Sequence, residues 1–326
     1  MARRSVAPRG RNAVVSVIGT RGGAAVKRLV RTFLRARPIG DAVRAIAALE
    51  GRSLVLVYHR VTAAEPPEHE VVPSVPPMLF RRQLEALADV GNIVPLDEIV
   101  RDLDRHSKPR FAITLDDDFA THFEDALPAL IELGAPATFF LSGRSLHGLG
   151  PYWFEQLERL VAKRGIGTVA RLVGVATDRI DDVIRACEID PALQERLEAE
   201  APNAPRHLGS QEILRLSRAG MAIGFHTLSH KVLVGLDDEE VAAALRAGRK
   251  EIEGVIGRPL VHFAYPHGKA DRRTANSARE AGYEAAWTGR PHAIRRGDDR
   301  YLLGRWEPGE LDVDDFLVGT AIRLSR

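Results

Sequence analysis

From residue 52 onward, short apolar runs alternate with amphipathic stretches, and that rhythm limits the chain to few architectures. Apolar runs bounded by turn residues predict strands over 53–58, 111–115, 137–141, 222–225, 261–265 and 284–288. Helical spacing predicts helices over 79–90, 95–103, 124–133, 237–256, 272–281 and 313–324. Repeated strand–helix units give a parallel sheet with right-handed crossovers. Closed into a barrel, such a sheet carries its active site at the C-terminal ends of its strands. One stretch breaks the rhythm. Residues 152–207 are mostly helical and charged, with strand character only around 168–173. They read as an insertion between two barrel units, serving either as a lid or recognition element or as structural decoration.

Composition bounds the rest. A chain of 326 residues that is 45% hydrophobic can bury a large core. Its formal net charge of +2 gives no reason to expect a nucleic-acid partner. The charge is unevenly placed, however. Residues 1–50 carry a net +9 and the remainder −7, so a basic N-terminal extension precedes a mildly acidic domain over 51–326. Residues 1–22, rich in Arg and Gly, read as disordered. Val26, Leu29, Val30, Phe33 and Leu34 then line one helical face, with Lys27, Arg28, Arg31 and Arg35 on the other. Such a helix fits either peripheral contact with an anionic membrane or packing against the body. No apolar stretch reaches the roughly 18–20 residues that span a bilayer. The run over 13–19 makes a poor signal peptide, so the expected location is the cytoplasm. Cys187 is the only cysteine, which excludes an intrachain disulfide and any cysteine-based zinc site.

Two segments at strand ends carry chemistry. The run 111–115 leads into Asp116-Asp117-Asp118, and the run 222–225 leads into His226-Thr227-Leu228-Ser229-His230. Two histidines and a carboxylate form a ligand set for a divalent metal that leaves positions open for water and substrate. Adjacent aspartates on a strand point in opposite directions, so one can ligate while the other acts as a base. The competing readings are a helix cap for the aspartates and core packing for the histidines. A third segment, His262-Phe263-Ala264-Tyr265-Pro266-His267-Gly268, also ends a strand. Its Tyr–Pro step forces an extended backbone before a turn, and an N–H there could face an oxyanion. A plain strand-ending turn is the alternative.

Five blocks together resemble the polysaccharide deacetylases, the NodB-homology carbohydrate esterases. They are Tyr58-His59-Arg60-Val61, Thr114-Leu115-Asp116-Asp117-Asp118, Ala137-Thr138-Phe139-Phe140-Leu141, Gly224-Phe225-His226-Thr227-Leu228-Ser229-His230 and Phe263-Ala264-Tyr265-Pro266-His267-Gly268. Their order is specific and spans about residues 53–320. The resemblance implies a distorted (β/α) barrel of fewer than eight regular units. It implies Asp117, His226 and His230 as ligands of Zn2+ or another divalent metal, and Asp116 as general base. It implies that the Tyr265 N–H stabilises the oxyanion, with Tyr265 and Pro266 against the substrate. The expected activity is removal of acetyl groups from the N-acetylated amino-sugars of a polysaccharide or glycoconjugate. Two alternatives compete, a catalytically silent glycan-binding barrel and a deacylase acting on a non-sugar amide.

Two departures stand out. Asp118 occupies a position that is normally glycine, where it could perturb Asp116 or join the metal shell. The late block that supplies an acid histidine is absent, leaving His267 and His292 as substitutes. Tyr152, Trp153, Trp287 and Trp306 are the aromatics that could stack on a sugar, with burial in the core as the competing reading.

Overall fold

The computed structural model describes residues 40–41, 43–44, 52–102, 108–200 and 206–325. The expected disordered leader and the helix at 26–34 lie outside the described residues. The chain opens with strands β1 (Ser53–Tyr58), β2 (Arg60–Val61) and β3 (Ser74–Val75), then helix α1 (Pro77–Val90), β4 (Asn92–Ile93) and α2 (Leu96–Arg101). Strand β5 (Arg110–Asp116) leads through a π-helical turn (His122–Ala126) into α3 (Leu127–Glu132) and β6 (Ala137–Leu141). Four helices follow, α4 (Trp153–Arg164), α5 (Ile166–Val173), α6 (Ile180–Ile189) and α7 (Pro191–Ala199). The barrel resumes with α8 (Ser210–Arg218), β7 (Ala222–Phe225), α9 (Asp238–Ala244), α10 (Arg249–Ile256) and β8 (His262–Ala264). It ends with α11 (Arg272–Glu280), β9 (Ala285–Trp287) and α12 (Val313–Leu324).

Among the described residues the main sheet has seven strands in the order β1-β5-β6-β7-β8-β9, all parallel, with β4 on the start of β5. An irregular segment closes the gap between β9 and β1. Leu303 exchanges backbone hydrogen bonds with β9 (Thr288 N to Leu303 O, 2.7 Å; Leu303 N to Ala286 O, 3.1 Å), and Trp306 with β1 (Val57 N to Trp306 O, 2.9 Å; Trp306 N to Val55 O, 2.8 Å). The result is the expected distorted barrel. The two-residue period of a strand sorts its side chains. Phe111, Ile113 and Leu115 of β5 and Phe139 and Leu141 of β6 pack outward with the helices. Ala112, Phe140, Ala264, Ala285 and Trp287 fill the interior. By the same alternation Thr114 and Asp116 share the inward face of Ala112. Gly224 of β7 is required by close approach, since a Cβ there would lie 2.5 Å from the Phe140 ring.

Two expected elements differ. Residues 168–173, where the sequence showed strand character, belong to helix α5. Val169, Ala170 and Val173 have i, i+1, i+4 spacing and are buried in the insertion's own apolar cluster with Trp153, Leu157, Val183 and Leu197. The single helix expected over 237–256 is split into α9 and α10 at Gly248, whose φ is 84°. A Cβ there would be 3.2 Å from Leu228, so the break lets the chain pass beneath the His226–His230 loop. Among the described residues, no helix is long and apolar enough to cross a membrane.

Candidate active site and metal centre

The strand ends bring Asp116, Asp117 and His230 to one cavity, with His226 packed beside them. Four non-glycine residues have positive φ among the described residues: Asp117 (73°), Thr227 (59°), His230 (52°) and His267 (56°). Such conformations persist only where surrounding structure enforces them, and they concentrate at functional sites. Here all four sit in the loops that follow β5, β7 and β8.

Asp117, His226 and His230 are buried together, with one ligand atom from each within 4.8 Å of the others. Asp117 Oδ1 lies 3.3 Å from His230 Nε2 and 3.7 Å from His226 Nε2. The longer of these is beyond hydrogen-bond range, and Asp117 Oδ1 has no hydrogen-bond partner. His226 donates its Nδ1–H to Ala264 O at 2.8 Å, which leaves Nε2 with a lone pair facing Asp117. Burial, with the negative charges of Asp116 and Asp118, pushes the Asp117 carboxyl up to about 7 against the pull of His59. Burial likewise lowers His226 to about 4 and His230 well below its ordinary value. A buried acceptor without a donor and two neutral imidazoles aimed at it fit a divalent cation, whose charge would hold Asp117 ionised.

Asp116 stands apart from that trio. Arg305 grips it with Nη1 to Oδ1 at 2.6 Å and Nη2 to Oδ2 at 2.7 Å, both side chains being buried. Arg305 itself is held by Thr114 Oγ1 (3.1 Å) and Thr288 O (3.3 Å) and lies over the Phe140 ring. Burial opposes the charge on Asp116, but the Arg305 guanidinium and His226 outweigh it and hold the carboxyl at about 2. Asp116 Oδ2 remains 3.8 Å from His226 Nε2, beside the ligand cluster. Two adjacent carboxyls are thus driven to opposite ends of the acid range.

Sequence reasoning assigned no role to His59, Arg305 or Glu307. His59 follows β1 and lines the cavity, with Nδ1 2.6 Å from Glu307 Oε1. Burial alone would lower it, but the charge and hydrogen bond of Glu307, with the charges of Asp116 and Asp117, raise it to about 9. His122 of the π-helical turn bonds His59 O at 2.6 Å and fixes its backbone. Two signals pointed to His59, its place in the first of the five blocks and its position as a polar residue at the C-terminal end of a barrel strand.

The cavity holds about 370 Å³. Asp116, Asp117, His230, Arg305, His59 and Glu307 line its barrel side, and Trp153, Phe154, Ile184 and Glu188 of the insertion line the other. Of the four candidate aromatics, all are buried and Trp153 alone reaches the cavity. Tyr265 and Pro266 are not among its lining residues. The Tyr265 N–H donates to Trp287 O at 3.0 Å and its hydroxyl to Tyr301 O at 2.9 Å, so this N–H is already committed to the sheet. The next residue, His267, does line the cavity. Its N–H has no hydrogen-bond partner among the described residues, and its Nδ1 is 3.3 Å from Glu188 Oε1. His292 is not among the cavity's residues. Asp118 points away from the ligands, into backbone N–H groups after β6.

Known proteins share this fold. YxkH of Bacillus subtilis (strain 168), a polysaccharide deacetylase by name, is 20% identical over 256 residues, 77% of this chain and 69% of that protein. Among solved structures, the fold is similar to the Streptococcus pyogenes deacetylase PplD in complex with acetate (TM-score 0.58, 17% identity, 83% of this chain and 98% of that one). It is also similar to IcaB from Ammonifex degensii (TM-score 0.55, 18% identity, 84% and 97%). The sequence model of the polysaccharide deacetylases matches residues 104–286, more than half of the chain. The chain therefore belongs to the polysaccharide deacetylase family, hydrolases that remove acetyl groups from sugar polymers.

Proposed function

We propose that this protein is a metal-dependent deacetylase that hydrolyses the acetamide of an N-acetylated amino-sugar in a polysaccharide or glycoconjugate. The observation that carries the reading is the Asp117–His226–His230 cluster set beside the Arg305-bound Asp116, with Asp116, Asp117 and His230 lining one cavity. The three ligand residues would hold Zn2+ or a similar ion, which when bound acidifies water and polarises a carbonyl. Asp116, ionised and fixed by Arg305, accepts the proton of the attacking water. The unpartnered His267 N–H offers a hydrogen bond to the oxygen that gains charge, a role for which the Tyr265 N–H is not free. His59, protonated through its pairing with Glu307, gives its Nε2 proton to the departing amine. Trp153 and Phe154 wall off the sugar side from water. The catalytic unit spans 51–326, with the 152–207 insertion forming one wall of its site.

A silent glycan-binding barrel was suggested by Asp118 and by the missing acid histidine. Asp118 turning away from the ligands, and the His59–Glu307 pair as a candidate acid, support the enzyme reading over that one. The test is acetate release from a panel of acetylated amino-sugar oligomers and non-sugar acetamides. We expect turnover on the sugars and its loss in Asp116→Asn with bound metal retained. Turnover confined to the non-sugar amides would favour the other deacylase reading.

A further inference from the structure

Asp118 is wholly buried and forms no ion pair among the described residues. Its carboxylate accepts three backbone N–H groups in a row, from Ser142 (2.9 Å), Gly143 (3.3 Å) and Arg144 (2.9 Å). Gly143, at φ 73°, bends this stretch so that successive N–H groups converge, the concave arrangement that receives anions. These residues follow β6, the strand between the two that carry metal ligands, since the sheet order runs β5-β6-β7. Strand β6 gives no ligand, yet its loop joins the other two. Arg144, itself buried, passes the connection on. Its Nη1 donates to Leu228 O (3.4 Å), inside the His226–His230 loop, and its guanidinium lies over Tyr152, whose ring packs on His230. Arg144 Nη2 meets Glu198 of α7 at 3.2 Å.

We infer that Asp118 is a positioning residue. Through the Ser142–Arg144 backbone and the Arg144 side chain, it locks the Asp117 loop to the His226–His230 loop at the spacing a metal requires. This rests on the metal site proposed above. Three strand-end loops are stitched in series, and a glycine at 118 would leave the first stitch open. Loss of groups that hold metal ligands in place lowers affinity by about 10–100-fold.

The experiment measures Zn2+ affinity by chelator competition, and the Co2+ absorption spectrum, in the parent, Asp118→Gly, Asp118→Asn and Arg144→Met. Asp312→Ala, which removes the N-cap of α12 far from the cavity, serves as a destabilised control. All are compared at a temperature where circular dichroism shows each folded. We expect Asp118→Gly and Arg144→Met to bind Zn2+ about 10–100-fold more weakly, with an altered Co2+ spectrum. Asp118→Asn, which keeps one acceptor oxygen, should fall between, and the control should match the parent. Equal affinity and spectrum in the parent and Asp118→Gly overturn the inference, as does an equal loss in the control. A parent that binds no Zn2+ overturns the metal site itself.

Discussion

Arg305 and Asp116 lie 189 residues apart and meet as a buried, two-pronged ion pair, 2.6 and 2.7 Å long. The pair exists because the irregular segment carrying Leu303 and Trp306 closes the barrel between β9 and β1 and turns Arg305 inward. Removing one partner of such a pair strands the other's charge away from water. We expect Arg305→Met to cost about 3–5 kcal/mol of stability, read from urea unfolding. Arg305→Lys keeps the charge but not the fork, and should recover only part of the loss. A cost of Arg305→Met below about 1 kcal/mol would contradict a desolvated pair.

His59 and Glu307 set a pH limit. Because His59 is raised to about 9, its proton is present at neutral pH and is lost as pH climbs through that value. Activity that needs this proton should fall on the alkaline side near pH 9. Glu307→Gln removes the negative partner and disfavours the charged imidazole, so the falling limb should move to lower pH. The stability linkage has the same sign. The pair's contribution is fully present below the unfolded histidine's pKa of about 6.5 and lost as pH rises through the folded one. His59→Gln should lower kcat by about 10²–10⁴. An alkaline limb that stays in place in Glu307→Gln would remove His59 from the role of acid.

Trp153 is buried, lines the cavity and stacks on His267, yet its Nε1 has no partner among the described residues. That donor is itself buried, a cost that a sugar oxygen would relieve if the ring turns toward the substrate. Trp153→Phe keeps an aromatic face beside His267 but removes the donor and part of the ring. We expect a raised KM for the sugar substrate with little change in kcat, from steady-state acetate release. A drop in kcat at constant KM would place Trp153 in the chemical step instead.

Much of this was legible in the sequence. The apolar runs ending in Asp116–Asp118 and His226–His230 marked strands and their functional ends, and β6, β7 and α12 fall at the expected bounds. Local pattern failed where a tertiary contact decides the outcome. Thr168 and Val169 favour strands in isolation, but the insertion's own core draws that stretch into a helix. Gly248 breaks a helix because Leu228 passes close to it, which no local spacing reports. Arg305 and Glu307 sit in a segment without periodicity, so nothing nearby announces that they reach Asp116 and His59. Asp118 drew attention as an oddity beside the ligands, whereas its role lies in the loop after β6.

Gly224 offers a test of the barrel's packing. A methyl group there meets the Phe140 ring at 2.5 Å and His262 O at 3.1 Å, with neighbours on both sides of the strand. Gly224→Ala should destabilise the fold by about 1–3 kcal/mol through overpacking, measured by thermal or urea unfolding. An unchanged midpoint would mean that the interior around Phe140 yields more than its close packing allows.

The most direct measurement is acetate release from an acetylated amino-sugar oligomer by protein stripped of metal with chelator, before and after Zn2+ is returned. We expect no release from the stripped protein and recovery on binding about one ion per chain. His226→Gln and Asp117→Asn should fail to recover. Undiminished release from the metal-free protein, or recovery in those variants, would contradict a metal centre built from Asp117, His226 and His230.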